Sequence, residues 1–163
     1  MTRIRYDYAE MSEIIPGLYL SSIDSAIDPQ TLTSYSIKTI VSILSNLPKF
    51  NQFDSIDYYY IELDDDEQQD LLVNLDRTFQ IIDNSLKENR NVLVHCALGV
   101  SRSSATVMAY LMRSQKSLLS FDDAYRLVKS KRIIIGPNFG FRRQLALYEK
   151  LNGNLSMMNI WMR

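Results

Sequence analysis

One cysteine, one histidine, four prolines and five glycines are all that these 163 residues hold of the types that most often build staples, metal sites and tight loops. The lone cysteine, Cys96, rules out an internal disulfide framework, and the lone histidine, His95, leaves no Cys/His set for zinc. Neither sign of charge dominates: Lys and Arg number 18, Asp and Glu 19, for a formal net charge of -1. That balance creates no global field toward nucleic acid or an anionic membrane, so neither is expected as a partner. No apolar run reaches the ~20 residues that a membrane-spanning helix needs. No apolar stretch follows a basic start, and Met1-Thr2 lacks the glycine that myristoylation takes, so no leader or membrane anchor is expected. A free thiol suits a reducing compartment, which points to the cytoplasm and leaves the nucleus open. Oligomeric state is not legible.

No repeat, low-complexity tract or Pro/Gly/Ser-rich linker divides the chain, and 46% hydrophobic residues suffice for one core. One domain is expected over residues 1–151, followed by a C-terminal tail over 152–163. Ile14 to Leu20 reads as a short strand or hairpin turning at Pro16-Gly17. A short helix is expected within Asp24 to Leu32. Ile37 to Leu44 and Tyr58 to Leu63 have strand character, as does the apolar run Val92-Leu93-Val94-His95, which suits a strand buried on both faces. Leu71, Leu75, Phe79, Ile82 and Leu86 recur at helical spacing, with the acids Asp64 to Glu67 expected near that helix's N-terminus. Further helices are expected over Ala105 to Met112, Asp122 to Lys131 and Asn138 to Leu151. Strands alternating with helices predict an α/β fold with a central, mostly parallel, twisted sheet flanked by helices. The tail's Met157, Met158, Ile160 and Trp161 suggest an end that docks on its own domain or another chain, against the alternative of a frayed end.

The chemistry concentrates in Val92 to Ser103, which runs strand, loop, helix. The first amides of a helix have no intrachain partner, and an oxyanion resting there accepts them. The candidate phosphate-binding positions are Ala97, Leu98, Gly99, Val100, Ser101 and Arg102. Gly99 supplies backbone freedom, and the planar fork of Arg102 can hold two phosphate oxygens. Cys96 stands at the start of this loop. A helix N-terminus beside an arginine favours the thiolate, the form of a cysteine that attacks phosphorus. Ser103 can donate its hydroxyl to the sulfur when the latter becomes a leaving group. His95 lacks companion ligands, so it is expected to support the loop by hydrogen bonds rather than bind a metal.

The pattern H-C-x-x-G-x-S-R-S at residues 95–103 resembles the signature of cysteine-based protein tyrosine phosphatases. Ala109-Tyr110-Leu111-Met112, Arg132 followed by Gly136-Pro137-Asn138, Gly140-Phe141, Gln144-Leu145, Tyr148-Glu149 and the early Pro16 to Leu20 make it similar to the dual-specificity branch, in its small single-domain form. The resemblance covers roughly residues 12–150. It implies the cysteine-phosphatase fold and hydrolysis of phosphotyrosine and of phosphoserine or phosphothreonine on protein substrates, with no metal and no cofactor. It also implies a general acid five residues before an Asp-Leu pair. Asp70-Leu71 is that pair, which selects Asp65; Asp64 and then Asp66 are the alternatives. Asn138 is expected either to bond the loop's backbone, as the resemblance implies, or to cap the last helix. Arg132 is expected to be a structural ion-pair partner, with a role toward a second acidic group on the substrate as the alternative. Phosphoinositide and RNA 5′-triphosphate substrates are the enzymatic rivals, yet Ala97, Leu98 and Val100 lack the basic character both would want. A phosphoprotein-binding module that does no chemistry is the rival of another class, and the presence of both Cys96 and Arg102 speaks against it.

Overall fold

The computed structural model describes residues 7–114 and 116–157. Two strands, β1 (Ser12–Ile15) and β2 (Leu18–Ser21), form an antiparallel hairpin around Pro16-Gly17. Gly17 has φ +82°, a conformation that side-chain-bearing residues rarely adopt, and its N–H donates to Glu13 Oε1 at 3.0 Å. Three more strands follow: β3 (Ile37–Leu44), β4 (Asp57–Glu62) and β5 (Asn91–His95). The sheet order is β1-β2-β5-β3-β4, and every pairing except the hairpin is parallel. β5 therefore lies at the centre, hydrogen-bonded on both edges, which is why its sequence is an unbroken apolar run. The α/β architecture expected from the sequence is the one observed.

Helices cover both faces. On one side lie two short helices, α1 (Ile23–Ala26) and α2 (Pro29–Ser34), over a small core containing Tyr19, Leu32, Ile40 and Leu93. The single helix expected over Asp24 to Leu32 is split because Pro29 cannot donate to a preceding turn, while Asp28 caps the new start by accepting from Thr31 N–H at 2.9 Å. The larger core on the other face is closed by α3 (Leu75–Lys87), α4 (Arg102–Arg113), α5 (Phe121–Lys131) and α6 (Phe139–Lys150). α4 is the central helix of that layer, and its residues Arg102 to Leu111 are all buried.

A correction concerns the acids Asp64 to Glu67, which do not lie at the start of α3. A short 3₁₀ turn over Leu72–Asn74 intervenes, and the acidic segment is an exposed loop. Asp66 folds that loop on itself, accepting from Gln68 N–H at 2.8 Å with its carboxylate and from Gln69 N–H at 3.1 Å with its carbonyl.

The described part of the tail sits on its own domain. Gly153 is buried with φ +70° against the Arg113 side chain, and Leu155 packs on the larger core. Met158, Ile160 and Trp161 lie outside the described residues, as does the side chain of Met157.

Candidate active site

β5 ends at His95, α4 begins at Arg102, and the six residues between form a tight loop at the C-terminal edge of the sheet. In open α/β sheets ligands bind at this edge. All six carbonyls from Cys96 to Ser101 are taken up by the surrounding scaffold. His95 Nδ1 bonds Cys96 O at 3.2 Å, and Ile23 N–H donates to Ala97 O at 3.2 Å. Arg132 donates to Leu98 O at 3.2 Å and to Gly99 O at 2.9 Å. Gly136 N–H donates to Val100 O at 2.8 Å, and Ala105 N–H to Ser101 O at 3.0 Å. The amides of Ala97 through Arg102 have no protein acceptor among the described residues. A loop with its carbonyls bound outward and its N–H groups unpaired is a concave anion site.

Gly99 makes this winding feasible. Its φ is +66°, and a Cβ there would lie 2.5 Å from Ser21 O and 2.7 Å from Arg132 Nη2. The carbonyl clamp and a side chain at position 99 exclude each other.

The expectation that Arg132 is an ion-pair partner is corrected. Its guanidinium is buried, and its partners are four carbonyls and a hydroxyl: Leu98 and Gly99 in the loop, Tyr8 at 2.8 Å, Glu10 at 2.7 Å and Ser12 Oγ at 3.4 Å. Five donors in a fixed fork suit such a multidentate task. With these donors spent internally, Arg132 is not available to a second acidic group.

Cys96 is buried, and its sulfur lies 3.1 Å from Ser103 Oγ, in the first turn of α4. Ser101, at the N-cap position of α4, gives no side-chain bond to that helix. Its hydroxyl instead accepts from Asn138 N–H at 3.0 Å, so the first amides of α4 are left to a ligand. Arg102 is 8% exposed, and its Nη1 donates to Leu63 O at 3.2 Å and reaches Ser45 Oγ at 3.4 Å. Its Nε is buried with no acceptor among the described residues. A buried guanidinium N–H left unpaired costs free energy that an oxyanion in the loop would recover.

His95 is fully enclosed, with Nε2 at 2.7 Å from Ser42 Oγ. The carbonyl of Cys96 can only accept, so Nδ1 carries the proton and Nε2 accepts from the Ser42 hydroxyl. Burial above all, with the nearby Arg102 charge, pushes the imidazole down to a pKa of about 4. The ring is therefore neutral at pH 7, a state that matches this tautomer.

Asp65 stands beside the loop through one contact. Asn138 Nδ2 donates to Asp65 Oδ1 at 3.0 Å, while Asn138 Oδ1 accepts from Phe141 N–H at 2.9 Å and caps α6. Of the two expectations for Asn138, the cap is realised. Its bond to the loop goes to the Ser101 hydroxyl rather than to backbone. The acidic loop is fastened along α6 at two further points. Gln144 Oε1 accepts from Leu71 N–H at 2.8 Å while its Nε2 donates to Gln69 O at 2.8 Å. Gly140 packs so closely that a Cβ would lie 2.0 Å from Glu67 O.

Sequence reasoning had no role for Ser42, Ser45, Gly140 or Gln144. The last two stand in matched motifs, but their partners lie some seventy positions away and leave no local trace.

Comparison with known proteins was made against this geometry. The model of the dual specificity phosphatase catalytic domain matches residues 18–151. The 123R protein of Invertebrate iridescent virus 6, whose name places it among tyrosine phosphatases, is 39% identical over 141 residues, covering 86% of this chain and 93% of that protein. Dual specificity protein phosphatase 9 of Homo sapiens is 40% identical over 140 residues, 85% of this chain but 36% of that protein. The chain thus spans about a third of the length of several curated relatives it matches. Among solved structures, a mouse dual specificity phosphatase complexed with zinc tungstate superposes with TM-score 0.82 at 28% identity, covering 94% of both chains.

Proposed function

The chain belongs to the dual-specificity phosphatase family, and on that premise we propose that it hydrolyses phosphate monoesters on tyrosine and on serine or threonine of protein substrates through a phosphocysteine. The observation that carries this reading is the loop from Cys96 to Arg102, with six carbonyls bound outward and, among the described residues, no protein acceptor for six of its amides or for Arg102 Nε. A phosphoryl group in that loop would find donors for its three equatorial oxygens with no rearrangement of the scaffold. Tungstate, bound by the mouse relative, is a tetrahedral oxyanion of the same kind.

With the phosphoryl group so held, the Cys96 thiolate attacks phosphorus in line. The S–P bond forms as the bond to the substrate oxygen breaks, and Asp65 gives its proton to the departing oxygen. In the second step a water gives a proton to the Asp65 carboxylate and attacks phosphorus, and the sulfur leaves. Ser103, whose hydroxyl stands 3.1 Å from that sulfur, donates to it as negative charge returns. Inorganic phosphate departs and the thiolate is restored. Asp65 is preferred over Asp64 and Asp66 because it is joined through Asn138 to Ser101, whereas Asp66 is spent on its own turn. No helix among the described residues is long and apolar enough to cross a membrane. The free thiol supports placing the reaction in the reducing cytoplasm, among signalling phosphoproteins.

The test is turnover of an aryl phosphate and of a phosphopeptide panel by the wild type and by Cys96→Ser. The reading expects wild-type turnover of phosphotyrosyl and phosphoseryl or phosphothreonyl peptides and none by the variant. Turnover confined to phosphoinositides or triphosphorylated RNA would replace it, and tight binding without turnover would assign the binding module instead.

A further inference from the structure

The segment from Arg132 to Asn138 runs beside the loop in parallel sense. Arg132 bonds the carbonyls of Leu98 and Gly99, Gly136 bonds that of Val100, and Asn138 bonds the hydroxyl of Ser101. Three large apolar side chains stand exposed on these two adjacent strips: Leu98 at 54%, Ile133 at 65% and Phe139 at 66%. Leu98 lies in the loop itself, and Ile133 and Phe139 each follow a residue that contacts it. Apolar groups held in solvent and framed by polar residues mark surfaces that meet a partner.

Charge along the same rim is arranged against anions. Lys129, Arg132 and Arg142 border it, and each is turned back onto backbone: Lys129 onto Ile135 O at 2.9 Å, Arg132 onto the loop and N-terminal carbonyls, Arg142 onto Pro137 O at 2.8 Å. The Arg142 guanidinium also lies over the Phe139 ring, 5.7 Å from its centroid, and over Tyr125 at 5.3 Å. Lys131 shares its cleft with Asp7 and Glu10. On the Asp65 side the neighbours are Asp64, Asp66 and Glu67, all exposed. A phosphate in the loop is well served. Among the described residues, a second phosphate a residue away would meet mainly alkyl groups, an aromatic edge or carboxylates, the exposed Arg143 standing one helical turn beyond Phe139.

We propose that this chain selects singly phosphorylated segments whose residues next to the phosphoresidue are apolar, with Leu98, Ile133 and Phe139 as the specificity-determining side chains. This rests on the phosphatase reading, since the substrate's place is set by the loop. A flanking Leu or Ile removes its own surface and that of the rim from water, and discards little hydrogen bonding in doing so. A flanking phosphate must shed water, and the described cations that border the loop, Lys129, Arg132 and Arg142, are already turned onto backbone.

The experiment measures kcat/KM for three series around one phosphoresidue, with flanks of Ala, of Leu or Ile, and of a second phosphoresidue. Each value is divided by that for p-nitrophenyl phosphate, which is too small to reach the rim, so that changes in the chemistry cancel. The wild type should prefer apolar over Ala flanks by about tenfold, and the doubly phosphorylated series should fall below the Ala series. Ile133→Ser with Phe139→Ser should erase most of the apolar preference, and Ile133→Lys should raise the doubly phosphorylated series severalfold. Equal ratios across the series, or a wild-type preference for the second phosphate, overturn the inference and leave the phosphatase reading intact. Absence of turnover on every substrate, p-nitrophenyl phosphate included, overturns both.

Discussion

Asn138 donates its side-chain amide to Asp65 Oδ1 at 3.0 Å while its own backbone N–H donates to Ser101 Oγ at 3.0 Å. One residue thus joins the proposed acid to the phosphate loop and also caps α6. Asn138→Ala should cost about 1 kcal/mol of stability through the lost cap, and should lower kcat by roughly tenfold as Asp65 loses its tether. Urea unfolding and steady-state kinetics separate the two effects. An unchanged kcat with the stability loss present would reduce Asn138 to a helix cap.

Asp65→Asn removes the proton donor but keeps the shape. The loss should depend on the leaving group: about a hundredfold or more for a phosphoseryl peptide, whose alkoxide needs protonation, and far less for p-nitrophenyl phosphate, whose phenoxide leaves unaided. Asp64→Asn and Asp66→Asn should stay within a few-fold of wild type on both. The same leaving-group dependence in one of those variants would move the acid there.

Gly140 and Gly99 are constrained for different reasons, and alanine at each should fail differently. At Gly140 the obstacle is space alone, with Glu67 backbone 2.0 Å from a Cβ, so Gly140→Ala should push the acidic loop off α6. Its kcat should fall, while affinity for an oxyanion such as tungstate is retained. Gly99→Ala meets both a left-handed φ and the Ser21 carbonyl at 2.5 Å. It should cost about 2 kcal/mol or more and weaken tungstate binding at least tenfold. Calorimetric titration reads both, and equal tungstate affinity in the two variants would contradict the division of roles.

The contrast between these glycines shows what was legible in the sequence. Gly99 lies inside a local motif whose strand, loop and helix are contiguous, so its role follows from neighbours a few positions away. The same locality made β3 and the Pro16-Gly17 hairpin readable, because alternation and turn chemistry act over short spans. Gly140, Gln144 and Arg132 do their work on residues distant in the chain, and nothing in local pattern names a partner. Arg132 looked like an ion-pair residue because a charge suggests a countercharge. In the fold its guanidinium is used as a fork of directed donors to four carbonyls and the Ser12 hydroxyl. The acids at 64–67 misled for a related reason: helix-terminal preference applies only within the first turn, and a 3₁₀ turn and the Gln144 clamp set α3 back from them.

His95 makes stability depend on pH. Its imidazole titrates near 6.5 when unfolded and at about 4 when folded. Between these values the unfolded chain binds a proton that the native state refuses, so stability falls as pH drops from 6.5 toward 4 and is unaffected by this group above that window. At pH 5 the contribution is about 2 kcal/mol relative to pH 7.5. Urea unfolding of the wild type and of His95→Asn at both pH values should show a difference of that size in their pH dependence. Parallel pH profiles would mean that the native ring takes up its proton without cost.

Accumulation of phosphate on sulfur is the most direct observable of the whole account. An acid-quenched reaction with an excess of phosphopeptide, digested and read by mass spectrometry, should show a phosphoryl adduct on the peptide bearing Cys96. The adduct should vanish in Cys96→Ser, and should build up in Ser103→Ala, where the sulfur has lost the hydroxyl 3.1 Å away that eases its departure. Turnover without any adduct on Cys96, or an adduct on another residue that persists in Cys96→Ser, would contradict it.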